Sequence, residues 1–254
     1  MRETKQSGLP GLTPLMQQYR DIKSKHPGVL LFFRLGDFYE MFGDDAINAS
    51  NILDIVLTKR QGIPMCGVPH HSVNSYLRKI IKAGEKVAVC EQLEEPGQGR
   101  GIVKRDVVRV ITPGTVLEDN LLNSKQNNYL MALCPSRDFK IFGVSYVDVS
   151  TGEFTASELP AEALKNEIYK VSPGEIIVPD NYAEDDLIVS ITKNNQITLS
   201  CLESYLFSIN EAQVKIKEFY KTISLKPFGI ENRELAACAC GGILAYLSRT
   251  QLTE

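Results

Sequence analysis

Residues 34–46 read RLGDFYEMFGDDA, directly after the apolar run Val29-Leu30-Leu31-Phe32-Phe33. Phe38 and Glu40 lie two apart there, a ring and a carboxylate on either side of Tyr39. In extended chain, residues two apart project to the same side, so ring and acid would share a face. In a regular helix they would stand about 200° apart. Pattern alone favours a plainer arrangement, with Phe38 and Tyr39 as core aromatics and Glu40 as an early helix acid near the positive end.

Other residues have chemistry to offer. His70-His71 follows Pro69, but adjacent histidines on extended chain point opposite ways, and no third metal ligand is placed by spacing. Asp148 closes an apolar run, where a metal-dependent nuclease could carry one carboxylate; such sites need several converging acids. Lys59-Arg60 and Lys104-Arg105 are basic pairs. Each is ordinary as a solvated edge, and around one strand-end surface they could contact phosphates, which position a protein without choosing sequence. Gly97-Gln98-Gly99-Arg100-Gly101 has no following helix to hold a phosphate and reads as a loop. Phosphate-loop, dinucleotide, nucleophile-elbow and zinc-protease motifs are all absent from the sequence. The six cysteines lack C-x-x-C spacing and read as small core residues; Cys238 and Cys240, two apart on a helix, do not face one partner.

Several elements must position these groups. Thr13 and Pro14 open a helix with a stripe of Leu15, Met16, Tyr19, Ile22 and Lys23, ended by His26-Pro27-Gly28. A strand apolar on both faces spans 29–35, a helix starts near Asp45, and Ile55–Thr58 is β-branched up to Lys59-Arg60. Residues 63–71, IPMCGVPHH, are extended. A helix from Ser72 to Gly84, a strand at 86–90 and another at 103–112 follow. Residues 113–128 carry turn formers and little periodicity and make the best boundary. Beyond it come strands near 129–133, 141–149 and 153–158, a helix at 161–169, a strand at 175–178, and helices at 210–221 and 232–249. A β-β-β-α-β order gives a mixed sheet with helices.

The chain of 254 residues is 43% hydrophobic and 23% charged, as a globular protein is, and no run approaches the length of a membrane span. With no apolar leader at its N-terminus, a cytoplasmic location is expected. Residues 1–126 carry 17 Lys and Arg against 14 Asp and Glu, and the rest 11 against 17, so two domains with different partners are expected. Charge alone makes a weak case for nucleic acid.

The segments LTPLMQQYRDIKSKHPGVLLFFRLGDFYEMFGDDA, IVLTKR, IPMCGVPHHSVNSYLRKIIKAGEKVAVCEQ and VVRVITPGTV together resemble the N-terminus of the MutS family of bacterial mismatch-recognition proteins. The second half, with SYVDVSTGEF and its small-residue helix, resembles the family's connector domain. The resemblance implies an α/β chain: a mixed-sheet α+β recognition domain at 1–115, a linker at 116–127 and a ribonuclease-H-like α/β connector domain at 128–254. The family's F-x-E motif falls on Phe38 and Glu40, which implies a ring inserted at a mispair from the minor groove and a carboxylate beside it. Leu35, Asp37 and Met65 fall where groove-lining residues are implied, and Lys59 and Arg60 where the DNA backbone is held.

Further implications concern partners. Mismatched double-stranded DNA is the expected ligand, and a surface near Val214 and Lys215 is the implied contact for MutL. Homodimer formation, ATP and magnesium belong to the full-length family, whose later domains include an ATPase. The chain reads as a two-domain fragment without an enzyme activity or cofactor of its own, expected to bind DNA weakly by itself. A nuclease built on Asp148 is the competing expectation. The resemblance implies that Phe38 and Glu40 protrude together, while Tyr39 and Phe42 belong to the core.

Overall fold

The computed structural model describes residues 13–94, 101–116 and 127–251. Gly97–Arg100, most of the 113–128 boundary and the last three residues lie outside the described residues. Described residues within Met1–Val73 and Ala88–Val108 form one compact unit, and those within Asn74–Val87 and Arg109–Glu254 a second.

The first helix, α1 (Pro14–Ser24), begins as its sequence asks: the Thr13 hydroxyl accepts from the Met16 amide at 3.4 Å and Pro14 sits at the first position. It buries Met16, Tyr19 and Ile22. Strands β1 (Leu30–Leu35) and β2 (Phe38–Phe42) form a hairpin, and Gly36 supplies the positive φ of its two-residue turn. Gly43 at φ 61° breaks the chain into α2 (Asp44–Leu53). A second hairpin joins β3 (Thr58–Arg60) to β4 (Ile63–Pro69) through Gln61 and Gly62, both at positive φ. Helix α3 (Val73–Lys82) and strands β5 (Val87–Gln92) and β6 (Arg105–Ile111) follow. The six strands lie in the order β3-β4-β2-β1-β5-β6.

The second sheet contains β7 (Tyr129–Pro135), β8 (Ile141–Asp148), β9 (Glu153–Pro160), β10 (Glu175–Pro179) and β11 (Thr198–Leu202), in the order β11-β10-β7-β8-β9. β10 runs parallel to β7 and β11, while β7, β8 and β9 are antiparallel in succession. The helices are α4 (Ala161–Val171), α5 (Asp186–Asn194), α6 (Ile209–Tyr220) and α7 (Glu234–Thr250). Alternating residues of β7 feed two cores. Leu130, Ala132 and Cys134 pack with α7, whereas Met131 and Leu133 pack with Leu164, Ile168, Ile188 and Ile191 of α4 and α5. A sheet covered on both faces needs such continuous apolar strands, and the α/β class follows.

The small residues of α7 have a steric cause. A Cβ on Gly143 of β8 would stand 2.0 Å from the Leu235 carbonyl oxygen at the start of α7, and one on Gly241 would stand 2.5 Å from Ala212 of α6. Five of the six cysteines are buried, as expected; Cys201 on β11 is exposed, because the side chains of that strand are not all covered. Glu175 explains why 109–116 belong to the second unit. Fully buried, it accepts from the hydroxyls of Thr112, Ser200 and Tyr246 and the Gly114 amide, with the Lys86 ammonium 3.7 Å away.

Candidate nucleic-acid interface

Strand pairing decides which candidate residues meet. Leu35 faces Phe38 across the β1–β2 hairpin, and Phe33 faces Glu40. On the other side of β2, Glu40 faces Gly67 and Phe42 faces Met65. Met65 in turn faces Thr58, and Arg60 faces Ile63. Directly paired residues share a face, and residues two apart along a strand do too. Leu35, Phe38, Glu40, Arg60 and Met65 therefore belong to one face of the first sheet. Lys59, opposite Pro64, points to the other. Asp37 lies in the hairpin turn, exposed, its carbonyl accepting from the His70 amide at 2.8 Å.

α1 covers one end of that face. The Tyr19 ring meets Phe33 and Phe42 edge-on, with centroids 5.4 and 5.0 Å away, and both are buried. Tyr19 is locked by Asp45, which also takes the Lys23 ammonium at 2.7 Å and the Leu31 amide at 3.0 Å. Burial, with Asp45 beside it, pushes the Tyr19 hydroxyl far above its usual range, so it stays a donor. Phe38 stands at the uncovered end and is 47% exposed. The Glu40 side chain is 19% exposed and receives the Arg60 Nη1 at 2.9 Å. Gly67 leaves room next to it, since a Cβ there would lie 3.7 Å from Glu40 Cγ and 3.3 Å from the Tyr39 oxygen.

Pattern alone placed a helix at Glu40; the chain is a strand through Phe42, and the helix waits for Gly43. Tyr39 and Phe42 are core residues, as expected, and Phe38 is not. Ring and carboxylate share a face, but the carboxylate is the more covered of the two, held by Arg60.

Opposite faces of β2 have opposite tasks. Tyr39 packs against Phe32 and His70, its hydroxyl bonds Glu91, and the Arg34 guanidinium lies 5.5 Å from its ring centre. Sequence spacing gave no sign of this cluster, because Glu91 is 52 residues from Tyr39. The pair Lys104-Arg105 splits likewise. Lys104 is exposed, whereas Arg105 is buried, bonded to the Arg34 carbonyl at 2.7 Å and to Gln18 at 3.1 Å, over the Phe33 ring. Arg105 is thus a core tie and no phosphate contact.

In the second unit, Val214 on α6 is 52% exposed and Lys215 half-buried. The Asp148 carboxylate is engaged within its own turn. Its Oδ1 accepts from the Ser150 amide at 2.9 Å, the Ser150 hydroxyl at 2.6 Å and the Thr151 amide at 3.3 Å, and its Oδ2 from the Asn128 amide at 3.3 Å. Buried and engaged in this way, it is a turn cap. Among the described residues no three His, Cys, Asp or Glu side chains cluster around it or elsewhere. No helix among the described residues is long and apolar enough to cross a membrane.

Residues 13–120 match the family MutS domain I, and residues 128–254 match MutS domain II. Relatives named DNA mismatch repair protein MutS are similar along nearly the whole chain. The Flavobacterium psychrophilum protein is 46% identical over 94% of this chain and 28% of its own length. The Wolbachia pipientis protein is 43% identical over 94% and 29%, and that of Dehalococcoides mccartyi strain 195 is 41% identical over 96% and 28%. The chain thus spans less than a third of the length of these relatives.

Proposed function

The chain belongs to the MutS family, and on that premise we propose that it is the mismatch-sensing and connecting part of a DNA mismatch-repair protein. The observation that carries the reading is the half-exposed Phe38 at a hairpin end, on one face with a partly exposed Glu40, inside the region matching MutS domain I. An aromatic ring is normally withdrawn into a core. One left out on a rigid strand, over a buried Tyr39, is available for stacking.

The ring enters the minor groove at a mispair and stacks on a base. Unstacking a step costs about a few kcal/mol, and less where pairing is already faulty. Deformability of the duplex is then what is recognised. Glu40 adds discrimination by a difference: its charge is unfavourable beside phosphates everywhere, and a hydrogen bond to the displaced base offsets this only at a mispair. Leu35 and Met65, on the same face, line the groove, with Asp37 at the turn. Arg60 and Lys59 hold the backbone; all three residues of the edge strand β3 are exposed, so side chains on both of its faces can reach a neighbouring duplex.

The second unit passes the signal onward and offers α6, around Val214 and Lys215, to MutL. Homodimer formation, ATP and magnesium belong in this reading to the full-length protein in the cytoplasm, and no residue described above is assigned to the nucleotide. The bending of a G·T duplex, followed by energy transfer between dyes at its ends, tests the wedge in a full-length MutS polypeptide carrying this segment. The duplex bends with Phe38 present and stays straight with Phe38→Ala; equal bending with both overturns the reading.

A further inference from the structure

We propose that Arg60 is a positioning residue that exchanges partners: it holds the Glu40 carboxylate in the free protein and trades it for a DNA phosphate when Glu40 turns to a mispaired base. The inference rests on the reading above, that Phe38 and Glu40 meet the mispair. It starts from the 2.9 Å contact between Arg60 Nη1 and Glu40 Oε2, on the face that presents Phe38.

Three features suit an exchange. The ion pair joins a 45% exposed guanidinium to a 19% exposed carboxylate, and pairs open to water contribute little, so this one is easily given up. The contact uses one of five guanidinium N–H groups, and the same planar fork that fits a carboxylate fits a phosphate. Arg60 sits at the end of the edge strand β3, before the Gln61-Gly62 turn, where the backbone of a duplex can approach. On matched DNA, where the Glu40 carboxylate finds no displaced base, the ion pair is kept and Arg60 makes no phosphate contact. At a mispair Glu40 gains a base, and the released Arg60 gains a phosphate.

A phosphate contact is read in the salt dependence of binding, where each one adds about 0.9 to the log–log slope. The experiment measures anisotropy of labelled G·T and matched duplexes from 50 to 200 mM salt, in a full-length MutS polypeptide carrying this segment. With Glu40 present, Arg60→Gln lowers the slope by about 0.9 on the G·T duplex, a three- to fourfold smaller loss of affinity over that range, and leaves the matched slope alone. With Glu40→Gln, Arg60 is free on both duplexes, and adding Arg60→Gln lowers both slopes alike. Arg60→Lys keeps the charge and restores the slope on G·T. Equal slope loss on both duplexes in the presence of Glu40 overturns the exchange, as does no slope change on either. Phe38→Ala runs beside these: if it keeps the G·T preference, the mispair reading itself has failed, whatever the slopes show.

Discussion

Phe38 and Tyr39 are neighbours in the chain and lie on opposite faces of β2, the first 47% exposed and the second 2%. One ring is left at the surface while the next anchors the strand that presents it. Their substitutions should therefore part company. Phe38→Ala is expected to change unfolding stability by no more than about 0.5 kcal/mol, as exposed sites do. Tyr39→Ala should cost about 3–5 kcal/mol, mainly through the cavity, with the lost hydrogen bond to Glu91 added. Urea midpoints of the two variants decide; comparable losses would place Phe38 in the core.

Glu175 anchors the segment at 112–114 to the second sheet. Its carboxylate gathers the hydroxyls of Tyr246, Ser200 and Thr112, the Gly114 amide and Lys86, with no exposure of its own. Removing one partner of a buried charge strands the others. Glu175→Ala is expected to lose about 3–5 kcal/mol and to speed amide exchange in residues 110–116. Glu175→Gln, which keeps the shape, should lose less. Unaltered exchange in that segment would show that Glu175 does not hold it.

His26, after α1, makes the fold sensitive to pH. Burial lowers its proton affinity below the ordinary value of 6.5, with Lys25 and Lys23 adding to this against the opposing pull of Asp106. The unfolded chain thus binds the proton more readily than the folded one, and unfolding is favoured as pH falls through about 6.5. This contribution is present above that pH and fades below it, levelling once the folded group is itself protonated. The urea midpoint should fall between pH 7 and 5, and His26→Gln should flatten that fall. An equal fall in the variant would assign it to other groups.

Much of this was legible in the sequence. The capped α1, the buried β1, the hairpin through Asp148 and the small-residue α7 follow from local signals: a Thr-Pro start, an unbroken apolar run, a DVSTG turn and a spacing of Ala, Cys and Gly. Strand β2 was harder. FYEMF alternates, but its last two residues are both buried, and the acids that follow look like a helix start reaching back to Glu40. α5 and β11 carry no clear local signal, for their residues have polar interruptions that only the covering of the sheet explains. Lys59 and Arg60 looked like one basic pair, yet a strand sends neighbours to opposite faces. The Glu40–Arg60 contact and the burial of Arg105 arise from tertiary structure, across 20 and 71 residues of chain, beyond the reach of spacing.

The central claim, that Phe38 senses a mispair, is tested most directly by equilibrium anisotropy on G·T and matched duplexes of otherwise identical sequence. The unaltered segment and its Phe38→Ala variant are compared in a full-length MutS polypeptide. A stacked ring contributes about 1–3 kcal/mol per base, so the preference for G·T should fall by about 5- to 150-fold in the variant, with matched-duplex affinity nearly unchanged. An equal preference for the mispair in both proteins would contradict it.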